Sequence, residues 1–460
     1  MPLAQLRRLP ARNRTCHVPQ RLMGAAFGVF ALVVSASTAA AADFVSGAAL
    51  GEANLVKYWQ LQLPLDPGQE LQRAYLVDDQ VYACTTDGYV FAIHARTGAL
   101  RWVQPVTQSR YVIPRPCHVG NTVVFALPPE IRVFNRTFGD PIKRVSLRFP
   151  ADSPPSTDGV RVFLGGVDRR MHAFDTENYF EAWKVLTEGQ VTSAAAFYGE
   201  NLYFASQDGR VYACNSAEKT LAWKSATFGP ITADLVATED GVFVASRDRS
   251  LYLFDVIYGQ TRWRVRFSGS LYEAPVVIGD IAYQYCPLDG VVAINVDEFD
   301  EEKRVRWRLP NGRMTLTSDA DYTYVLTRDE TIAVVGRESG QVAHSIPAPG
   351  LIMPMPDVTN MSIILAGVDG RIFCARPADA PYLRAEEVQA SLRAGGATPG
   401  SEPSSQPVAG DREFDPAEEA IRQAQEVIRR SLIGGKPGGP APGGRSKVTR
   451  EYGRGGSGGG

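Results

Sequence analysis

Residues 208–223 read DGRVYACNSAEKTLAW, and this stretch decides the fold. An Asp-Gly pair makes a turn, VYAC has the β-branched and aromatic character of a strand, and a polar turn leads to a second strand closing on Trp223. The same spacing of fifteen residues recurs at Asp87/Trp102, Asp168/Trp183 and Asp248/Trp263. A tryptophan that returns at a fixed phase marks an internal repeat.

Outward from that stretch, the Asp slot is filled by Asp87, Pro128, Asp168, Asp208, Asp248, Asp289, Asp329 and Asp369, in steps of 40 or 41 residues. Pro128 keeps the phase and loses the residue type. Each unit reads as four short strands; in the fourth they cover 190–197, 202–206, 210–214 and 220–224, separated by Gly- and Asp-containing turns. No unit carries a helical period of useful length. Eight such units specify an all-β chain folded as an eight-bladed β-propeller of four-stranded blades.

The Trp slot holds Trp102, Lys143, Trp183, Trp223, Trp263, Trp307 and His344, and the eighth repeat leaves the pattern at Pro377 before reaching it. Its missing strand is expected at the other end of the chain, where 56–61 carries Trp59 with no repeat before it. Pairing the two ends closes the ring and removes an open edge. One indole covers a large apolar area while its N–H reaches a carbonyl. Trp59, Trp102, Trp183, Trp223, Trp263 and Trp307 are therefore expected to dock each blade on its neighbour.

The segment Phe91-Ala-Ile-His-Ala-Arg-Thr-Gly-Ala-Leu-Arg-Trp102 resembles the repeat of the PQQ-like, quinoprotein-type propellers, Ala-x-Asp-x-x-Thr-Gly-x-x-x-Trp. The copies ending at Trp183 and Trp263 are similar to it. The Thr-Gly pair is complete once, and its glycine is kept at Gly98, Gly139, Gly259 and Gly340. The resemblance spans residues 55–377 and implies the fold, which does not fix the chemistry. It implies for an enzyme of the family a disulfide between adjacent cysteines, calcium ligands and long cofactor-enclosing loops. This sequence has no Cys-Cys pair, and its repeat step never exceeds 41. It is most similar in character to the BamB-like envelope scaffolds, which implies protein partners, no cofactor, no metal and no catalytic residues. A PQQ-dependent oxidoreductase is the alternative, and a small-ligand sensor the third reading.

Composition agrees with a compact exported protein. The first 42 residues hold five arginines and no acid, then an apolar run at 22–34 and Ala40-Ala41-Ala42, the parts of a cleaved signal peptide. Its removal leaves 43 basic against 50 acidic side chains, which gives no electrostatic case for nucleic acid. The expected setting is the periplasm or cell envelope, with at most peripheral membrane contact and a monomeric ring. Cys84, Cys117, Cys214, Cys286 and Cys374 sit in strand-like runs of different repeats and are expected as buried free thiols. His94, His118, His172 and His344 fall in four repeats without ligand spacing. The acidic run 297–304 reads as a solvated loop.

Residues 43–54 are a lead-in to the ring. Beyond it, 378–411 reads as a flexible Gly/Ala/Pro/Ser-rich linker and 435–460 as a disordered, basic, Gly-rich tail. Between them, 412–434 has the pattern of an amphipathic helix: Asp415 as N-cap, Pro416 at the first helical position, Glu418 completing a capping box. Its apolar stripe includes Ile421, Ile428 and Leu432, candidates for docking a partner.

Overall fold

A computed structural model of the chain describes residues 43–108 and 111–380. The signal segment, most of the linker, the helical pattern with Ile421, Ile428 and Leu432, and the tail lie outside the described residues. Within them, thirty-two strands form eight four-stranded antiparallel sheets. They are the blades of a propeller: blade 1 covers 71–105, blade 2 117–146, blade 3 156–186, blade 4 196–226, blade 5 236–266, blade 6 276–309 and blade 7 312–347. Blade 8 takes three strands from 353–377 and its outer strand, Leu55–Gln62, from the start of the ring. That outer strand runs antiparallel to Arg371–Pro377, with Leu55 opposite Pro377 and Gln62 opposite Arg371.

The repeat's strand pattern explains where the core sits. Middle strands are buried on both faces, as in Gln80–Thr85 and Gly241–Ser246, where every residue is buried. Such strands read as continuous apolar runs because both faces meet a neighbouring blade. Outer strands such as Glu181–Leu186 alternate with solvent. The buried side chains fall into eight clusters, one at each junction between successive blades. The cluster at the closing junction joins Trp59 and Ile372 of blade 8 to Val81 and Ile93 of blade 1.

The repeat aspartates are spent on turns. Asp208 accepts from Arg210 N at 2.8 Å and Tyr212 Oη at 3.1 Å, and also from Glu188 N, 3.1 Å away on the chain arriving from blade 3. Asp248 and Asp289 repeat this, accepting from Phe228 N at 2.9 Å and Ser268 N at 2.7 Å. Each of these three aspartates thus ties a hairpin turn to the connection entering its blade.

Two local expectations are corrected. The innermost strand of blade 4 is only Ala196–Tyr198, shorter than 190–197, and other blades open on strands of two or three residues. Residues 190–195 bond elsewhere instead: Gln190 O accepts from Gln207 N at 2.9 Å and Ala194 N donates to Asp234 at 2.7 Å. The acidic run is not wholly loop, for Glu301–Arg304 forms a helical turn capped by Asp300. Arg304 there is buried, donating to the carbonyls of Glu298 and Phe299 at 3.0 and 2.9 Å and lying 5.6 Å from the Trp263 ring. The lead-in also has structure. Gly47–Glu52 is a short helix whose Leu50 joins Val45, Leu55, Ile346 and Phe373 in the core between blades 7 and 8. It packs at the junction where the slot residue His344 is exposed.

The five cysteines among the described residues are all buried and free. Burial pushes Cys117 up to about 12 and Cys214 to about 11, from an ordinary 9.0. Burial likewise raises Tyr179 and Tyr212 to about 12 from 10.0. Raised acids favour the folded state below their ordinary values, so this contribution is present at neutral pH and is lost as pH rises from about 9 through 12. We expect none of the five thiols to react with a soluble disulfide reagent at pH 8 until denaturant is added, and the denaturation midpoint to fall steeply above pH 9. Rapid native labelling of Cys117 or Cys214 would contradict this packing.

Candidate functional site

Successive blades meet through one recurring contact. The Trp59 indole N–H donates to Ala95 O at 2.9 Å, Trp102 to Arg136 O at 2.9 Å and Trp183 to Ser216 O at 3.2 Å. Trp223 donates to Val256 O at 3.0 Å, Trp263 to Val296 O at 2.8 Å and Trp307 to Arg337 O at 2.9 Å. Each acceptor lies in the next blade around the ring. The retained glycines lie beneath these indoles: a Cβ on Gly98, Gly139, Gly259 or Gly340 would come within 2.4–2.7 Å of Trp59, Trp102, Trp223 or Trp307. All four glycines have positive φ, so position and contact both call for glycine.

The junction between blades 2 and 3 departs from this rule on both sides. Lys143 replaces the tryptophan, and Tyr179, with φ of 59°, replaces the glycine. The ammonium of Lys143 donates to Asn178 O at 3.0 Å and lies 5.4 Å from the Tyr179 ring. The Tyr179 ring is itself buried in the core between blades 2 and 3, and beside it a cleft of about 870 Å³ opens along 143–149 and 178–184. Its apolar wall includes Val145, Leu147, Phe149, Phe174 and Phe180, while Lys143, Arg144, Arg148 and Lys184 supply positive charge.

His172 forms the floor of this cleft. It is 2% exposed, with Nδ1 2.5 Å from Glu181 and Nε2 3.2 Å from both Asp168 oxygens. Its ring stacks on Phe149 with centroids 3.6 Å apart and 6° between planes. Each ring nitrogen thus faces a carboxylate. Burial would raise the Glu181 carboxyl, but hydrogen bonds from Lys184 and His172 outweigh it and hold the group below its ordinary value. The cluster is internally satisfied. In the sequence His172 is one of four histidines in separate repeats without ligand spacing; the usable signal is the joint loss of tryptophan and glycine at one junction.

A second cavity lies in the central channel, with regions of about 550 and 720 Å³ lined by innermost strands and the connections between blades. Its charges are paired across blades. Arg115 meets Asp234 at 3.4 Å, and Arg313 holds Glu273 through two bonds of 2.8 and 2.7 Å. Burial would lower the Arg313 guanidinium, yet Glu273 outweighs it and raises the group above its ordinary value. Among the described residues, no group of three or more His, Cys, Asp and Glu side chains is placed to hold a metal ion.

One rim is rich in exposed apolar side chains. In each blade the turns joining strands one to two and three to four lie on the same side of the ring. There the third-to-fourth turns of blades 2, 3, 5 and 6 present Phe138, Phe180, Tyr258 and Phe299, each more than half exposed. The opposite rim exposes Phe228, Leu288, Tyr272 and, less fully, Tyr89; Phe228 and Tyr272 are each covered on one face by a guanidinium, Arg264 at 5.7 Å and Arg247 at 5.2 Å.

The sequence model described as "Outer membrane protein assembly factor BamB" matches residues 112–219 and again 207–298. Among solved structures, BamB from Moraxella catarrhalis superposes with a TM-score of 0.56 at 16% identity, covering 70% of this chain and 99% of that one. The computationally designed Ika8 protein gives 0.57 at 16% identity, covering 69% and 98%. No curated protein matches the sequence. At these identities the superpositions speak for the fold, and the matched repeats speak for its type. The chain is an eight-bladed β-propeller, and its residues 112–298 match the PQQ-like repeat model.

Proposed function

We propose that the protein is an exported, non-catalytic scaffold that holds protein partners in the cell envelope, in the service of outer-membrane protein assembly. The observation that carries this reading is the rim bearing Phe138, Phe180, Tyr258 and Phe299. A large aromatic at the third-to-fourth turn of four blades is costly to leave in water and is a common mark of a protein-binding surface. The rigid ring beneath fixes the spacing of these turns, as binding loops on a scaffold require. The family description matched by residues 112–298 and the export pattern of the first 42 residues support the setting.

Photo-crosslinking in intact cells tests it. With a benzophenone amino acid at Tyr258 or Phe299, we expect discrete adducts with envelope proteins. The same probe at Val368, in the blade 8 turn on the other rim, should give at least tenfold less. Equal yields from both rims, or adducts with cytoplasmic proteins alone, would overturn the reading.

A further inference from the structure

The cleft between blades 2 and 3 is the exception in an otherwise regular series. Six junctions are filled by an indole from the preceding blade, and the junction of blades 7 and 8 receives Leu50 of the lead-in helix. At the 2–3 junction a cleft of about 870 Å³ lies where the slot residue stands. Its chemistry defines an occupant. Phe149, Phe174 and Phe180 call for an aromatic side chain. Asp168 and Glu181 also line the cleft, Lys184 being bonded to Glu181 at 2.9 Å and Arg144 to Glu130; the cations left for an occupant's carboxylates are Lys143, whose ammonium meets neutral carbonyls, and the exposed Arg148.

The chain contains a segment of that composition. Residues 411–419 read DREFDPAEE, five carboxylates and one arginine around Phe414, which is the sole phenylalanine after Phe373. With Asp415 as the N-cap of the helical pattern, Phe414 takes the position that would staple to the fourth helical residue. That residue is Glu419, so the helical pattern offers Phe414 no apolar partner. The ring's last strand ends at Pro377, opposite Leu55, on the same rim as Phe180. Ala380 and Phe414 are 34 residues apart. Fully extended, that length spans roughly 110 Å. A compact domain of about 330 residues has a radius of gyration of about 20 Å. The tether therefore reaches any junction of its own ring.

We infer that the 2–3 cleft is the docking site of the chain's own segment 411–419, with Phe414 entering between Phe149 and Phe180 and its flanking carboxylates meeting Lys143 and Arg148. Tethering makes the contact intramolecular, so a modest intrinsic affinity is sufficient to hold it. A docked segment also covers Phe180, one of the exposed rim aromatics. The inference stands on the cleft and on this sequence, and does not depend on the scaffold reading.

The test places a benzophenone amino acid at position 180 of the full chain and maps adducts by mass spectrometry. We expect intramolecular adducts within 411–419, with a yield unchanged over a hundredfold range of protein concentration. Phe414→Ala should lower that yield roughly tenfold or more, the loss of one buried aromatic side chain, while Phe414→Trp retains it. The cleft side is tested by Lys143→Trp combined with Tyr179→Gly, which rebuilds the indole-on-glycine contact and fills the space. That variant should keep the circular dichroism of the parent and lose the adduct. Adducts that form only between two chains would assign the cleft to a second copy and overturn the inference. So would adducts elsewhere, no adduct at all, or a yield indifferent to Phe414→Ala.

Discussion

Trp59→Ala is expected to destabilise the ring by about 3–5 kcal/mol, the cost of emptying an indole-sized site in a packed core. Trp59 is 1% exposed, packs on Gly98, donates to Ala95 O at 2.9 Å, and sits in the strand that closes blade 8. Its loss acts on two contacts at once. The blade 8–blade 1 core loses its largest side chain, and the pairing of Leu55–Gln62 with Arg371–Pro377 loses its anchor. Urea denaturation should show the loss of stability, and amide exchange should show protection falling first in 55–62 and 371–377. The same substitution at Trp183 should cost about half as much. Lys219 rather than glycine lies in the left-handed position of the next turn, with φ of 64°, the indole is only part-buried, and its hydrogen bond is longer at 3.2 Å. Equal costs at the two sites, or a cost at Trp59 below about 1 kcal/mol, would contradict closure of the ring through Trp59.

The ring and its closure were readable from the sequence because they rest on period. Each slot at 40 or 41 residues carries a side chain whose job is local: aspartate at a turn, tryptophan at a blade face. What could not be read depends on partners distant in the chain. The innermost strands came out short because residues such as Gln190 and Ala194 give their hydrogen bonds to other turns and blades. The helix Gly47–Glu52 is too short to announce itself by periodicity, and its one buried side chain, Leu50, is explained by the junction it fills. The 2–3 cleft lies between these cases. Lys143 stood out in the tryptophan series and Tyr179 in the glycine series. Only the fold shows that the two irregularities face each other across one junction and leave a space.

That correspondence between slots makes the strongest prediction about how the repeat works. A Cβ on Gly139 would lie 2.5 Å from Cγ of Trp102, and the residue sits at φ of 77°. Gly139→Ala therefore carries two costs: roughly 1–2 kcal/mol for a left-handed L-residue, and the displacement of an indole bonded to Arg136 O at 2.9 Å. The total should be about 3–4 kcal/mol, within the range expected of strain combined with overpacking. In a Trp102→Ala background the clash disappears and only the backbone cost should remain. A double-mutant cycle should accordingly return a coupling of about 2 kcal/mol, measured as the difference between the two costs of Gly139→Ala. Additive costs would mean that the glycine serves its turn alone and owes nothing to the tryptophan. The natural substitutions in this chain argue for coupling. Where the glycine slot holds Tyr179, the preceding blade presents a flexible lysine, and where it holds Lys219, the preceding indole is less deeply buried. Tryptophan and glycine belong to different blades, yet they form one contact, and a change in one alters what the other site can tolerate.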